Sequence, residues 1–573
     1  QAGPRAVAPS ETTIGITWYD LQSNRSVKNR MFRYDDGSIA ATWTMGMEAS
    51  SYPDRGTGYN YFDGTTWGWG PTPEERIESI RCGWPSYSPL GPEGELVISH
   101  DFGAHTLYLN QRELKGEGDW EESAFGYTNG PPMLSWARHI TSGPDNYKIH
   151  LLANSWEEYM GMEAATVYSR STDGGDTWDY ENILIEGMGP DDYNFIYADA
   201  YVWADPVGDN IAFLCAEAWH DLFMMKSTDN GETWEKTVIW EHPYPYFDWD
   251  VTITDTFFCV DNSATITLGT DGKAHVAFGI SRVAHFETGG AYNYWPYVDG
   301  IGYWNEDMAT FSGDLDALAP PQYGYANSEM IQDVNYVAWM QDVDGDGEVT
   351  LAADILSYRS LGPCTMPALT VDEYGNVILL FASTTETYVN DTYNYKHIWA
   401  RAFNATAGIW EDFYDLTNDI VHIFDECIYP QVASSSDDNI YYMYNADQTP
   451  GLALDEDHAH QENRQIFASL EKIFFGLPVG VAEENVETFI TVSQNFPNPV
   501  NNNTSVRVSL DESSSLSLEL TNMVGQKMLT QDKGFVNAGS HEFRIDASKL
   551  QAGIYFYTVI ADGVKVTKRM IIR

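Results

Sequence analysis

Short, strongly apolar runs recur across positions 1–475, each entered through Gly, Asp, Asn or Pro. They fall at 31–43, 95–99, 147–152, 211–215, 273–278, 376–381 and 439–444. A run of about five apolar residues bounded by turn formers predicts a buried strand rather than a helix. The turns at Gly37, Gly94, Pro144, Gly208, Gly272, Gly375 and Asp438 follow one another at intervals of roughly 50–64 residues, except between Gly272 and Gly375, where the interval is longer. A unit of this length holding several short strands predicts a β-propeller. The count is seven blades, with six or eight left open by degenerate turns. The strand-like segment 13–18 has no partner ahead of it and is expected to pair near 465–473, closing the ring. The long interval after Gly272 predicts an insertion at about 284–360.

One turn is written twice. Ser171-Thr-Asp173-Gly-Gly175-Asp-Thr177-Trp178 returns as Ser227-Thr-Asp229-Asn-Gly231-Glu-Thr233-Trp234. Ser and Asp side chains accept backbone N–H bonds within such a turn, Gly supplies a positive φ, and Trp offers a large face to bury. The phrase resembles the Asp-box (BNR repeat) of sialidase-like β-propellers. That resemblance implies a structural turn away from any active face. It also raises the sialidase reading, in which an arginine cluster, a Tyr–Glu nucleophile pair and an Asp acid would line the axis. Arg33, Arg138, Arg282 and Arg359 are the arginines available, but the first-blade strand Arg30-Met-Phe-Arg33 lacks the proline of the family's Arg-Ile-Pro motif.

The second half of the picture is at the carboxyl end. Residues 476–490 read as a linker, and 491–573 as five short strands separated by glycine turns, an Ig-like β-sandwich of about 80 residues. Charge steps at the same place. The chain carries −53, whereas residues 491–573 hold nine Lys+Arg against seven Asp+Glu. The terminal segment resembles the type A sorting domain of the Bacteroidetes type IX secretion system. The matching pieces are Asn495-Phe-Pro-Asn-Pro499, Met523-Val-Gly525-Gln526, Leu550-Gln-Ala-Gly553-Ile-Tyr555 and Lys568-Arg569-Met-Ile-Ile-Arg573. The resemblance implies export to the cell surface or medium, and a partner that is either secretion machinery or another extracellular subunit. The start at Gln1 suits a mature chain after signal removal.

The acidity excludes a nucleic-acid partner, since phosphate binding needs Lys and Arg. No run approaches the roughly 18 apolar residues of a membrane-spanning helix, so no membrane insertion is expected. Five scattered cysteines form no C-x-x-C motif, and Cys215 reads as a buried thiol. Aromatics make up 14% of the chain. Tyr292, Tyr294, Trp295, Tyr297 and Trp304 are candidate ligand-stacking residues for a glycan, with loop packing as the competing role. Asp342, Asp344 and Asp346 alternate before Gly347, with Glu348 and Asp354 as further ligands, as in the opening of a Ca²⁺-binding loop. Position twelve is Ala353, so a complete EF-hand is not expected. His458 and His460 read as a charged surface loop. No organic cofactor is expected. The chain is therefore read as an all-β protein that binds or assembles outside the cell: glycan, protein or self. The alternative is an extracellular glycoside hydrolase or other glycan-processing enzyme on the same fold, using two carboxylates.

Overall fold

The computed structural model describes residues 5–6, 9–25, 27–49, 51–70, 75–126, 132–295, 297–351, 356, 358–477, 490–500, 502–510, 512–522, 526–551, 553–562 and 564–572. The chain divides into two compact units, 1–479 and 480–573.

In the first unit the described residues form seven mainly antiparallel sheets in chain order. Blade one is Met31–Arg33, Ile39–Met45 and Gly56–Phe62. Blade two is Gly83–Leu90, Gly94–Asp101, Thr106–Arg112 and Glu121–Phe125; blade three is Leu134–Ser142, Lys148–Ser155, Thr166–Ser171 and Tyr180–Ile183. Blade four is Tyr201–Trp203, Ile211–Cys215, Leu222–Ser227 and Glu235–Trp240. Blade five is Phe257–Leu268, Ala274–Ala284, Ile301–Asn305 and Tyr336–Ala338; blade six is Cys364–Val371, Val377–Val389, Asn394–Asn404 and Tyr414–Asp415. Blade seven takes Glu426–Val432, Asn439–Asp447 and Asn463–Glu471, and receives its outer strand, Ser10–Thr17, from the other end of the chain. Thr13 lies opposite Ile466, in the expected closure.

First strands of successive blades pack on one another around the axis, from blade two to blade seven. The apolar runs are the second strands, buried on both faces because each blade is covered by its neighbours. The expected insertion is a correction: Ile301–Asn305 and Tyr336–Ala338 are the third and fourth strands of blade five. Both are short and a long polar excursion parts them, so neither stands out in the sequence.

The repeated phrase occupies the turn between third and fourth strands in blades three and four. In each, the Ser hydroxyl donates to the Asp carboxylate and accepts the Gly N–H, and the Asp carboxylate accepts the Thr N–H and hydroxyl. The two sets of distances nearly coincide: 2.8, 2.8, 2.9 and 2.6 Å at Asp173, and 2.7, 2.8, 2.8 and 2.6 Å at Asp229. Gly175 and Gly231 have φ of 98° and 85°. Trp178 packs on Phe125 of blade two, and Trp234 on Tyr168 of blade three and Phe213 of its own. Each turn therefore fastens its blade to the one before. All five cysteines are buried and free.

The second unit is a two-sheet sandwich. One sheet holds Ile490–Val492, Asn503–Leu510 and Gly539–Asp546; the other holds Lys527–Val536, Ser514–Asn522, Gly553–Ala561 and Val564–Ile572. Alternate residues such as Val506, Val508, Leu518, Leu520 and Tyr557 fill the space between them. Residues 478–489, which carry most of the expected linker, lie outside the described residues, as do 523–525.

Candidate functional site

A propeller's axis is its natural site, because seven first strands converge there. Within each first strand or just before it stands a residue at positive φ: Asn29, Trp84, Trp136, Asp199, Asn262, Met366 and Tyr429, with φ between 51° and 70°. In five blades this residue lies at a break in register between first and second strands. Asn and Asp tolerate the left-handed region; Trp, Met and Tyr do not, and are held there by packing. Tyr429 uses the bulge to donate its hydroxyl to the carbonyl of Ser23 at 3.3 Å.

Ser23 belongs to the connection 18–30, which joins the closing strand of blade seven to blade one. This connection crosses the axis. Gln22 exchanges hydrogen bonds with Thr44 of blade one. The Ser23 hydroxyl and the Asn24 N–H both donate to Asp199 of blade four, at 3.0 and 3.2 Å. Arg25 donates to Asn262 of blade five and lies 2.9 Å from Glu217. Lys28 donates to the carbonyl of Ile266 at 2.8 Å. Arg30 and Arg138 are both buried, and Arg138 pairs with Asp199. Burial, then Arg138, lowers the Arg30 pKa to about 9, while Asp199 opposes the shift. At the end where the first strands begin, the axis is thus occupied by this chain's own polar residues 18–25 and 27–30.

On the face carrying the repeated turns, the channel mouth is a cavity of about 650 Å³ to which all seven blades contribute; Arg33, Asp35, Asp205, Asp209, Asp372 and Glu373 are its charged lining. The four sequence-selected arginines do not converge. Arg33 pairs with Asp437, Arg138 with Asp199 and Arg359 with Asp455, while Arg282 lies over the Phe258 and Trp295 rings.

A Tyr–Glu pair is present. The Tyr358 hydroxyl donates to Glu426, whose other oxygen accepts the Lys396 N–H at 2.7 Å. Burial pushes Glu426 up to about 8 and Lys396 down to about 8. It also pushes the Tyr358 phenol well above its ordinary value, so this hydroxyl is a donor and not an activated nucleophile. Both side chains are buried.

The aromatic candidates separate. Trp304 is a correction: at 2% exposure it is a core residue of blade five and presents no face to a ligand. It lies on a strand, where the alternation puts it inside. Tyr294 and Trp295 pack against that core. Tyr292 packs on Trp219 and its hydroxyl shares a hydrogen bond with Ser360. Tyr297 is half exposed.

In the acidic loop, Asp342 accepts the Gly345 and Gly347 N–H groups at 2.7 and 2.9 Å. Asp344 accepts the Asp346 N–H, and Asp346 that of Glu348. Glu386, from the second strand of blade six, accepts the Thr350 and Asp344 N–H groups at 2.8 and 3.2 Å. Oxygens of Asp342, Asp344 and Glu386 lie within 4.8 Å of one another. Glu386 carries no signal in the sequence, being distant and flanked by strand residues. Asp354 lies outside the described residues. A second cluster, Glu11, Asp419 and His422, is built on an ion pair: His422 contacts Glu11 and Asp425, each at 2.9 Å. His458 lies against the Gly451 carbonyl, and His460 shares a hydrogen bond with Tyr52.

Residues 494–573 match the family described as the secretion system C-terminal sorting domain. No curated protein matches the chain. Among solved structures, a protein of unknown function from Dyadobacter fermentans is 13% identical, covering 82% of this chain and all of its own, with a TM-score of 0.35. An α-L-arabinofuranosidase from Fusarium graminearum is 10% identical over 81% and 99% of the two chains, with a TM-score of 0.35. A Trypanosoma rangeli sialidase mutant is 10% identical over 98% and 88%, with a TM-score of 0.34. Among the described residues no helix is long and apolar enough to cross a membrane.

Proposed function

We propose, from the premise that the type IX sorting domain the chain carries engages the secretion machinery and sends the protein to the cell surface or extracellular space, that the exported propeller works by surface contact: it binds a glycan or protein partner, or assembles with its own kind, and does not catalyse. The observation that supports this reading is the filled axis. A glycosidase needs two carboxyl groups facing across an open cleft. At the end of the axis where the first strands begin, residues 18–25 and 27–30 take up that space, and Asp199 and Glu217 are engaged by Arg138, Ser23 and Arg25. The two repeated turns act in this reading as Asp-box turns, holding blades three and four. Asp342, Asp344 and Glu386 are proposed to hold Ca²⁺, an oxygen-seeking cation that three close carboxylates suit.

The test uses the full-length protein. It is sedimented alone over a range of concentrations, and with insoluble surface material from its own producing cells. The expected result is co-sedimentation or concentration-dependent self-association. A protein that stays monomeric and unbound in both arms contradicts the reading.

A further inference from the structure

We propose that the propeller axis holds a small inorganic anion, of the chloride class, between the guanidinium groups of Arg30 and Arg138.

The argument begins with charge. Arg30 and Arg138 are each 1% exposed, and among the described residues the carboxylate found on them is Asp199. Asp199 is already shared: one oxygen pairs with Arg138, and the other accepts the Ser23 hydroxyl and the Asn24 N–H. The neighbouring acids are engaged elsewhere, Glu217 by Arg25 and Asp205 beside Lys28. Arg55, also buried, is bonded to the Cys82 carbonyl and the Tyr19 hydroxyl and supplies no negative charge. A buried cation without a counter-charge is strongly disfavoured. Two guanidiniums on one carboxylate leave one charge over.

Hydrogen bonding gives a second, independent observation. Arg30 donates from Nη2 to the Gln22 carbonyl, but its Nε and Nη1 have no partner among the described residues. Arg138 donates from Nη1 to its neighbour's carbonyl and from Nη2 to Asp199, while its Nε has none. A guanidinium presents five donors, and buried donors are normally satisfied. Three unpartnered nitrogens on two neighbouring cations call for an acceptor that also carries negative charge. Water would meet the first need and not the second. A site between two side chains each 1% exposed admits a small ion and not a carboxylate-bearing ligand. The anion would fix the connection 18–30 to blade three, so it has a structural role independent of the binding reading above.

The experiment uses the full chain. Crystals soaked in sodium bromide are measured at the bromine absorption edge. The expected result is an anomalous peak touching both Arg30 and Arg138. In parallel, unfolding is followed in sodium chloride and sodium gluconate at equal ionic strength. In about 0.2 M chloride the unfolding constant should fall at least about tenfold relative to gluconate, the mass-action result for an ion bound only by the folded state with a Kd of about 20 mM or below. Arg30→Met should abolish that difference if the variant folds; the bromide experiment on the unaltered chain stands whether it does or not. Ordered water without an anomalous signal at the axis overturns the proposal, as does equal stability in the two salts.

Discussion

A Cβ added at Gly15 would lie 2.0 Å from the Trp43 ring, and one at Gly58 would lie 2.5 Å from it. Gly15 is on the closing strand and Gly58 on blade one, so the indole fills the seam where the ring shuts. Gly15→Ala is expected to destabilise the propeller by about 1–3 kcal/mol through overpacking, read as a lower denaturant midpoint. His422 guards the same closure from the other side. Burial alone would lower its pKa, but Asp425 and Glu11 outweigh it and raise the value to about 9. A pKa raised on folding gives stability that is complete below the unfolded value near 6.5 and is lost as pH rises through the folded one. Thermal stability of the native chain should therefore fall between about pH 7 and 10. His422→Gln should remove much of that slope, at a cost of about 1–2 kcal/mol at neutral pH once solvent screening is allowed for. A variant with the native slope would assign the effect elsewhere. The pairing of the amino-terminal strand with 465–473 was legible, but the Gly15–Trp43 and Glu11–His422 contacts across the closure were not, because a single sequence records no side-chain partners.

At the scale of elements, the second strands and the repeated turns were legible because each is local. A run such as Ile211–Cys215 is apolar throughout, and the serine, aspartate, glycine and threonine of each turn bond to one another. The short outer strands of blade five were not legible, because a segment as brief as Tyr336–Ala338 carries no period. The positive-φ positions also escaped, since four of the seven fall on Trp, Met or Tyr, which are no turn signal. The acidic loop was half legible. Asp342 and Asp344 announce themselves by spacing, whereas Glu386 reaches them only through the packing of blade six. The account expects Tb³⁺ luminescence, sensitised by nearby aromatic rings and displaced by Ca²⁺, and expects Glu386→Gln to weaken it at least about tenfold. Unchanged titration in Glu386→Gln would remove that residue from the site.

At the scale of the molecule, charge and export belong together. The propeller unit is strongly acidic and the sandwich nearly neutral, a step visible in composition before any coordinate. Deleting residues 487–573 should leave the propeller's unfolding transition intact and abolish appearance of the protein at the surface or in the medium, as quantified by fractionation of its own host. Export of the truncated chain would show the sandwich to be dispensable. What composition could not show is that the axis is crossed by the chain's own connection, because 18–30 has the ordinary mix of a polar loop. The central claim is contact without catalysis, and turnover tests it most directly. The full-length protein is incubated with sialosides, neutral oligosaccharides and the producing organism's extracellular polysaccharide, and released sugar and unsaturated product are followed over days. The account predicts no product from any substrate. Sustained release by the native protein that is lost in Glu426→Gln would contradict it, and would make the buried Tyr358–Glu426 pair the centre of an enzyme.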